Sequence, residues 1–346
     1  QVSAAWGIAA AAAGVYIGLY AAVALVRARY PFELEWMEGA TLEHVRRVLA
    51  GAPLYARPSL DFVAFTYPPL YYYAAAAVSG ALGDGFLALR AVSIAASALS
   101  LFLIYSLVRG ESGRAPALVA AGLFAATYPL SGAWLDLGRV DALYLCLALL
   151  TATVIARATT PVHFAIGGLC AALALLAKQP IVVSLAFVGP YLLLRHPRGF
   201  VYFLVTAVIA GGGAQWYLDV RWTGWFTYYV YELPRLRMAI SSRPARAVMF
   251  LWDDMARPLA PLLLALAVSA VLLARGWRGS PAQAGREPRI RCVLFALGLL
   301  LSSCLARLEG GAWSNALLPA YAGIAILFGL AVRVTTGALM PTAAVA

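Results

Sequence analysis

The sequence predicts an all-α, polytopic integral membrane protein, a single transmembrane domain over residues 1–346. Three observations predict it. Of the 346 residues 63% are hydrophobic and 12% are charged, where a soluble domain carries roughly 25% charged residues. The apolar residues come in long blocks such as Ala4–Val26, Phe86–Val108, Phe200–Leu218 and Leu259–Ala274, each near the ~20 residues a helix needs to cross the bilayer. The blocks lack strand-like alternation, and backbone in lipid must satisfy its own hydrogen bonds, so they read as helices.

The first block is longer than a signal-peptide core and has no basic segment before it, so it is taken as a spanning helix. Because the chain opens on Gln1, a few residues or a leader are expected to precede it. Cys146, Cys170, Cys292 and Cys304 all lie inside apolar blocks without metal-type spacing and read as small core residues. The net charge of +11 is almost wholly arginine, Lys178 being the one lysine. That charge sits in short connections between apolar blocks, which the positive-inside rule explains and nucleic-acid binding does not.

Predicted spans are 4–26, 86–108, 115–131, 140–156, 164–177, 180–194, 200–218, 258–274, 292–306 and 316–332. The basic connections are Arg109/Arg114, Arg157, Arg195/Arg198, the stretch Arg275 to Arg291, and Arg333. All five fall on one face, the cytoplasmic one, if the short, proline-led stretch Pro68–Leu82 does not cross. The sequence therefore predicts a bundle of about ten transmembrane helices, with Pro68–Leu82 in or dipping into the outer interface. Two long loops, 27–85 and 219–257, then lie on the extracytoplasmic face. That face also receives Asp136, Arg139, Asp141, Lys178, Gln179, Arg307, Glu309 and Asn315. Charge near headgroups is ordinary, but the bias of the acids to one face points to an outward polar site. No internal repeat suggests a transporter of inverted halves.

In the first loop Glu35 and Glu38 precede a helix over Ala40–Ala50, whose apolar positions Leu42, Val45, Val48 and Leu49 share a face. His44, Arg46 and Arg47 point elsewhere, as expected of a helix lying on the interface. A carboxylate at a helix start is favoured by the dipole alone. The sharper reading is a general base at the membrane surface, activating a hydroxyl. Tyr55, Tyr67 and Tyr71–Tyr73 read first as an interfacial aromatic belt. The second loop carries Trp222, Trp225, Tyr228, Tyr229 and Tyr231, then Arg235, Arg237, Arg243 and Arg246. Arginines outside the membrane suit either a phosphate held by their forks or anionic outer headgroups.

Taken together, the acidic pair, the amphipathic helix ending in Gly51-Ala52-Pro53-Leu54-Tyr55 and the Tyr67-Pro68-Pro69-Leu70-Tyr71 entry resemble the GT-C class of membrane glycosyltransferases. The resemblance is to its branch of aminoarabinose transferases, protein O-mannosyltransferases and uncharacterised bacterial relatives. Gly138-Arg139-Val140-Asp141 is similar to the family's acidic residue at the outer start of a helix, and Ala177-Lys178-Gln179-Pro180 to its lysine turn. Gly310–Pro319 is similar to its late glycine-rich Asn-x-x-x-Pro segment, through Asn315. The resemblance covers roughly residues 1 to 332. It implies an inverting glycosyltransferase in the bacterial cytoplasmic (inner) membrane, using a polyprenyl-phosphate sugar at the outer face.

By this resemblance Glu38 takes the place of the catalytic base, with Glu35 or Asp141 orienting the acceptor. Lys178, Gln179, Arg139, Tyr67, Asn315 and the second-loop Arg235, Arg237 and Arg243 would bind substrate, the cations holding the lipid phosphate. The family's usual Asp-Glu pair is here Met37-Glu38, which leaves the base open between Glu38 and Glu35 and weakens a metal reading. Some relatives bind a divalent metal and others do without, so no cofactor is assigned. The sequence ends soon after Arg333, and the family's soluble C-terminal domain is expected to be missing. Two other readings stand: a non-catalytic scaffold or accessory subunit of a membrane complex with a protein partner, and a lipid-linked sugar transporter. The transporter would need midplane charge, which is scarce here.

The predicted sidedness is checked with introduced cysteines in intact cells. Positions beside Arg109 and Arg195 should be shielded from an impermeant maleimide, and positions beside Gly39 and Arg243 should react. Labelling of all four from outside would overturn the topology.

Overall fold

The computed structural model of the chain describes residues 2–240, 243–276, 287–309 and 312–339, with the helical backbone alone at 2–3, 237–240, 269–276 and 332–339. Helices follow one another as α1 (Val2–Ala28), α2 (Glu38–Leu49), α3 (Leu70–Leu82), α4 (Phe86–Ser112), α5 (Arg114–Ala126), α6 (Val140–Arg157), α7 (Pro161–Ala177) and α8 (Ile181–Arg195). Then come α9 (Pro197–Ala207) and α10 (Gly213–Arg221), which a π turn at Val208–Gly212 joins into one 25-residue rod. The short α11 (Trp225–Thr227), α12 (Leu233–Ile240) and α13 (Arg243–Met249) lead to α14 (Arg257–Gly276), α15 (Glu287–Arg307) and α16 (Leu318–Leu339). The described residues contain no strand.

Each of the ten predicted spans falls on a helix: α1, α4 to α8, the α9–α10 rod, α14, α15 and α16. The chain is a multi-pass membrane protein. Among the described residues, six helices are by themselves long and apolar enough to cross a bilayer, whereas α5, α7 and α8 are shorter apolar helices. The shortfall in α5 has a local cause. Its predicted span ran to residue 131, but the helix stops at Ala126. The Thr127 hydroxyl donates to the carbonyl of Phe124 at 2.7 Å, a side-chain bond that competes with helix continuation. Pro129 then has no N–H to offer.

Packing follows composition. Helix α6 and the first turns of α16 are buried almost all round, with α4, α5 and α15 around them. Helix α1 lies outside against α5, and the α9–α10 rod outside against α7. Both leave apolar side chains uncovered, among them Ile8, Val15 and Val26 on α1 and Val201, Ile209 and Trp216 on the rod. Apolar surface of that extent on a folded chain marks contact with lipid.

The two ends of the bundle differ. At one end the basic connections meet. Arg157 donates to the carbonyl and hydroxyl of Ser106, near the end of α4, at 2.7 and 2.8 Å. Arg291 donates to the carbonyls of Ile155 and Ala158 at 3.0 and 2.8 Å and to Glu287 at 3.0 Å. His196, at the end of α8, lies 2.9 Å from the same Glu287 carboxylate. At the other end Arg27, closing α1, pairs with Asp136 at 3.0 Å. Arg307, closing α15, pairs with Asp254 at 2.7 Å. Helix α3 has both of its ends at this second end. Thr66, just before it, accepts from Gln179 in the α7–α8 turn, and Asp84, just after it, accepts from Arg46 of α2 at 2.9 Å.

Over this second end the two long loops form a cap with its own core. Leu42 and Val45 of α2, Tyr71 and Tyr72 of α3 and the loop residues Leu54 and Tyr55 pack on Trp222, Phe226 and Tyr229. Tyr55 meets Trp222 at 4.9 Å and Phe226 at 5.3 Å between ring centroids. Tyr55, Tyr71, Tyr72 and Tyr229 are therefore core residues rather than an aromatic belt, while Tyr73 is exposed. His44 also departs from the interfacial-helix reading. Arg46 and Arg47 are at the surface, but His44 is buried against Phe65, stacked at 4.7 Å. Its Nδ1 lies 2.6 Å from the Ala40 carbonyl, and its Nε2 accepts the Phe65 N–H at 2.9 Å. This pattern requires the neutral ring, and burial lowers its pKa to about 4.

Helices α15 and α8 touch backbone to backbone at Gly298: a Cβ there would stand 2.5 Å from the Cα of Ser184. Gly298→Leu should force the pair apart and cost about 1–3 kcal/mol, the usual range for overpacking. Thermal unfolding of the purified protein in detergent measures this, and an unchanged midpoint would contradict the close approach.

Candidate active site

The site lies beneath the cap, at the end of the bundle where the acids gather. It is built on an ion pair that the sequence reading passed over. Arg90, one turn into α4, has no exposed surface, and neither has Glu38, the first residue of α2. The guanidinium donates from Nε to Glu38 Oε1 at 3.1 Å and from Nη2 to Oε2 at 2.7 Å. It also donates to the carbonyls of Arg27 at 3.1 Å, Tyr30 at 2.5 Å and Phe32 at 2.6 Å. Five N–H donors meet five acceptors. Glu38 is filled as completely, since Oε1 accepts the N–H of Gly138 at 2.7 Å and Oε2 that of Leu34 at 2.8 Å. Position 138 must be glycine for this approach, because a Cβ would stand 2.8 Å from that of Leu89.

The pair fixes two strands of chain side by side, residues 27–38 and the turn 138–141, and each presents charge. Glu35 accepts the Met37 N–H at 3.1 Å and an Arg139 N–H at 3.3 Å. Burial pushes its carboxyl above the usual range, against the pull of Arg139. Arg139 is itself buried, and its guanidinium lies 5.3 to 5.7 Å from the rings of Trp134, Phe65 and Tyr67. Its second hydrogen bond goes to the Tyr67 hydroxyl at 3.4 Å. Two residues on, Asp141 Oδ1 accepts from Lys178 at 2.6 Å and from Asn315 Nδ2 at 3.0 Å. The Lys178 ammonium is also 5.4 Å from the Tyr67 ring. Tyr67 thus spans two ion pairs, Glu35–Arg139 and Asp141–Lys178.

Asp141, Lys178 and Asn315 line a cavity of about 10 Å³ with Tyr144 and Ser302, roughly the space of a single water. Gln179 has a different role. Its amide donates to the carbonyls of Thr66 and Val230 at 3.0 and 2.8 Å, fastening the two capping loops to the α7–α8 turn. Of the second-loop arginines, Arg235 and Arg243 are exposed, on α12 and at the start of α13, and the Arg237 side chain lies outside the described residues. Beside the site an apolar groove of about 180 Å³ runs between Pro69, Leu70 and Tyr73 on one side and Leu176, Ala214 and Leu218 on the other. Among the described residues no three His, Cys, Asp or Glu side chains converge as metal ligands. Glu38, Glu35 and Asp141 each face a cation instead.

The expected residues therefore separate by geometry. Glu35, Arg139, Tyr67, Lys178, Asp141 and Asn315 come together, whereas Glu38 and Gln179 hold chain segments in place. Arg90 is what sequence reasoning missed, and the signal was present: a lone arginine inside an apolar segment asks for a partner.

This architecture is similar to the GT-C membrane fold of ArnT, as the sequence resemblance implied. The family model for Dolichyl-phosphate-mannose-protein mannosyltransferase matches residues 66–214. The fold matches crystal structures of ArnT from Cupriavidus metallidurans, one bound to undecaprenyl phosphate and one in the apo state. The TM-scores are 0.64 and 0.65 at 15% and 16% identity, over 92% and 93% of this chain and 60% of the ArnT chain in each case. The chain thus spans about 60% of the length of the structures it matches. No curated protein matches it significantly.

The saturated guanidinium makes a stability prediction. Arg90→Met leaves Glu38 buried without its cation and should cost about 3–5 kcal/mol, as other broken buried pairs do. Arg90→Lys keeps the charge but brings three donors to five acceptors, so it should recover only part of the loss. Thermal unfolding in detergent reads both; a lysine variant as stable as wild type would show that charge alone suffices.

Proposed function

We propose that the chain carries the active site of an inverting glycosyltransferase that moves a sugar from a polyprenyl-phosphate donor to an acceptor hydroxyl. The site would work at the extracytoplasmic face of the bacterial inner membrane. The observation that carries the proposal is the junction at Tyr67, where two carboxylates and two cations meet under an aromatic cap. Glu35 is the base in this reading, because every acceptor position of Glu38 is already filled. The acceptor oxygen attacks the anomeric carbon as Glu35 takes its proton. The bond from that carbon to the phosphate oxygen breaks, and the lipid phosphate leaves with the electron pair. Lys178 and Arg139 stabilise the charge that develops on it. Asp141, held by Lys178 and Asn315, sets the position of the lysine. The groove between α3, α7 and α10 is apolar and adjacent, which suits the lipid chain. The basic end of the bundle supports the orientation, since arginine-rich connections stay cytoplasmic.

A second reading, a non-catalytic scaffold within a membrane complex, draws on one observation: Glu35, Glu38 and Asp141 are all engaged with cations in the free chain. Transfer assays with polyprenyl-phosphate sugars separate the two. Glu35→Gln should lower turnover by about 100- to 10,000-fold, the usual weight of a general base, without weakening donor binding. Lys178→Ala should weaken donor binding by about tenfold or more, the loss of one charge-assisted contact, and lower turnover as well. Arg114→Ala, exposed at the opposite end, should change neither. Loss of transfer in a folded Glu38→Gln with Glu35→Gln active would return the role of base to Glu38. No transfer by wild type from any such donor would favour the scaffold.

A further inference from the structure

The two buried arginines of the site are held in opposite ways. Arg90 has a partner for each of its five N–H groups, at 2.5 to 3.1 Å. Arg139 is as deeply placed, 2% exposed, yet it makes two long hydrogen bonds, 3.3 Å to Glu35 and 3.4 Å to the Tyr67 hydroxyl. A well-made N–H···O bond is nearer 2.9–3.0 Å, and a charge-assisted one shorter still. The guanidinium is oriented chiefly by the rings of Trp134, Phe65 and Tyr67 around it. Ring contacts fix its place without using its donors. It is a cation set in position and left under-bonded.

Resting on the lipid-phosphate reading above, we propose that Arg139 is exchanged between Glu35 and the donor phosphate. In the free chain it holds the Glu35 carboxylate; an arriving phosphate takes the guanidinium and frees Glu35 to act as base. A phosphate offers bidentate acceptors at shorter distance than the single 3.3 Å contact it replaces. Lys178 is not the group that moves, because Asp141 holds it at 2.6 Å and Asn315 braces that carboxylate.

The exchange has a proton consequence. The charged groups facing Glu35 are Arg139, Glu38 and Asp141. Glu38 is balanced by Arg90 and Asp141 by Lys178, which leaves Arg139 as the cation directly against Glu35. Turning Arg139 to a phosphate removes that cation and brings negative charge closer, and both changes raise the proton affinity of the carboxylate. Glu35 therefore becomes a stronger base when the donor arrives and stays a weaker one while the site is empty. The proton that it accepts comes from the acceptor hydroxyl as the new C–O bond forms, and the electron pair of the broken bond stays on the phosphate beside Arg139.

The test is calorimetric titration of undecaprenyl phosphate into the full chain in detergent, in two buffers of different ionisation enthalpy, for wild type and Glu35→Gln. Wild type should take up more protons on binding than the variant, the difference reporting Glu35. Glu35→Gln should bind about tenfold more tightly, because Arg139 no longer has a competing carboxylate. Equal proton uptake, or equal or weaker binding by the variant, would overturn the exchange and leave the lipid-phosphate reading standing. Failure of wild type to bind undecaprenyl phosphate at all would sink both.

Discussion

Most of the ordered chemistry in this chain hangs on one guanidinium in α4. Arg90 gathers the end of α1, the loop after it, the start of α2 and, through Glu38, the turn before α6. Taking an arginine and a glutamate wholly out of water is costly, and such a pair survives only when its hydrogen bonds are all made. Here they are. A buried pair of this kind contributes register more than stability: it allows one arrangement of these segments and penalises the others. The spacing between Glu35 and Arg139, and that between Asp141 and Tyr67, are consequences of that arrangement.

The ends of the bundle express the same economy in different ways. At the basic end arginines cap the last carbonyls of their neighbours, as Arg291 does for Ile155 and Ala158, and few acids are present. At the site end two helix-closing arginines find carboxylates, Arg27 with Asp136 and Arg307 with Asp254. The cap of tyrosine, tryptophan and phenylalanine over that end shields the ion pairs beneath from most of the solvent. A low-dielectric setting strengthens each charge–charge term, and it equally penalises any charge left alone. That is why the acids and cations of the site are interlocked.

The helices and the identity of the polar end were legible in the sequence because both depend on local, additive properties. Length and apolarity decide what can cross a bilayer, and arginine placement marks the basic face. Residues such as Lys178, Arg139 and Asp141 stood out because charge beside an apolar segment is conspicuous. The role of His44 was not legible. Helical spacing put it with Arg46 and Arg47 on the polar side, but Phe65, from a loop 21 residues away, closes over it. Tyr55, Tyr71 and Tyr72 likewise look like headgroup residues until the second loop covers them.

The sequence by itself determined that the chain is a helical membrane bundle, which of its ends is basic, and that polar residues such as Arg139, Asp141 and Lys178 fall at the other end. Each of these follows from hydropathy and charge counted along the chain. Only the tertiary structure gives Glu35 and Glu38 different surroundings. The two glutamates are three residues apart and chemically alike, and their difference arises from partners far away in sequence: Arg90 and Gly138 close around Glu38, and Arg139 lies loosely beside Glu35. A carboxylate becomes a fastening or a candidate base according to how many of its lone pairs are already taken. That number is set by packing among α1, α4 and the turn before α6, which no local pattern encodes.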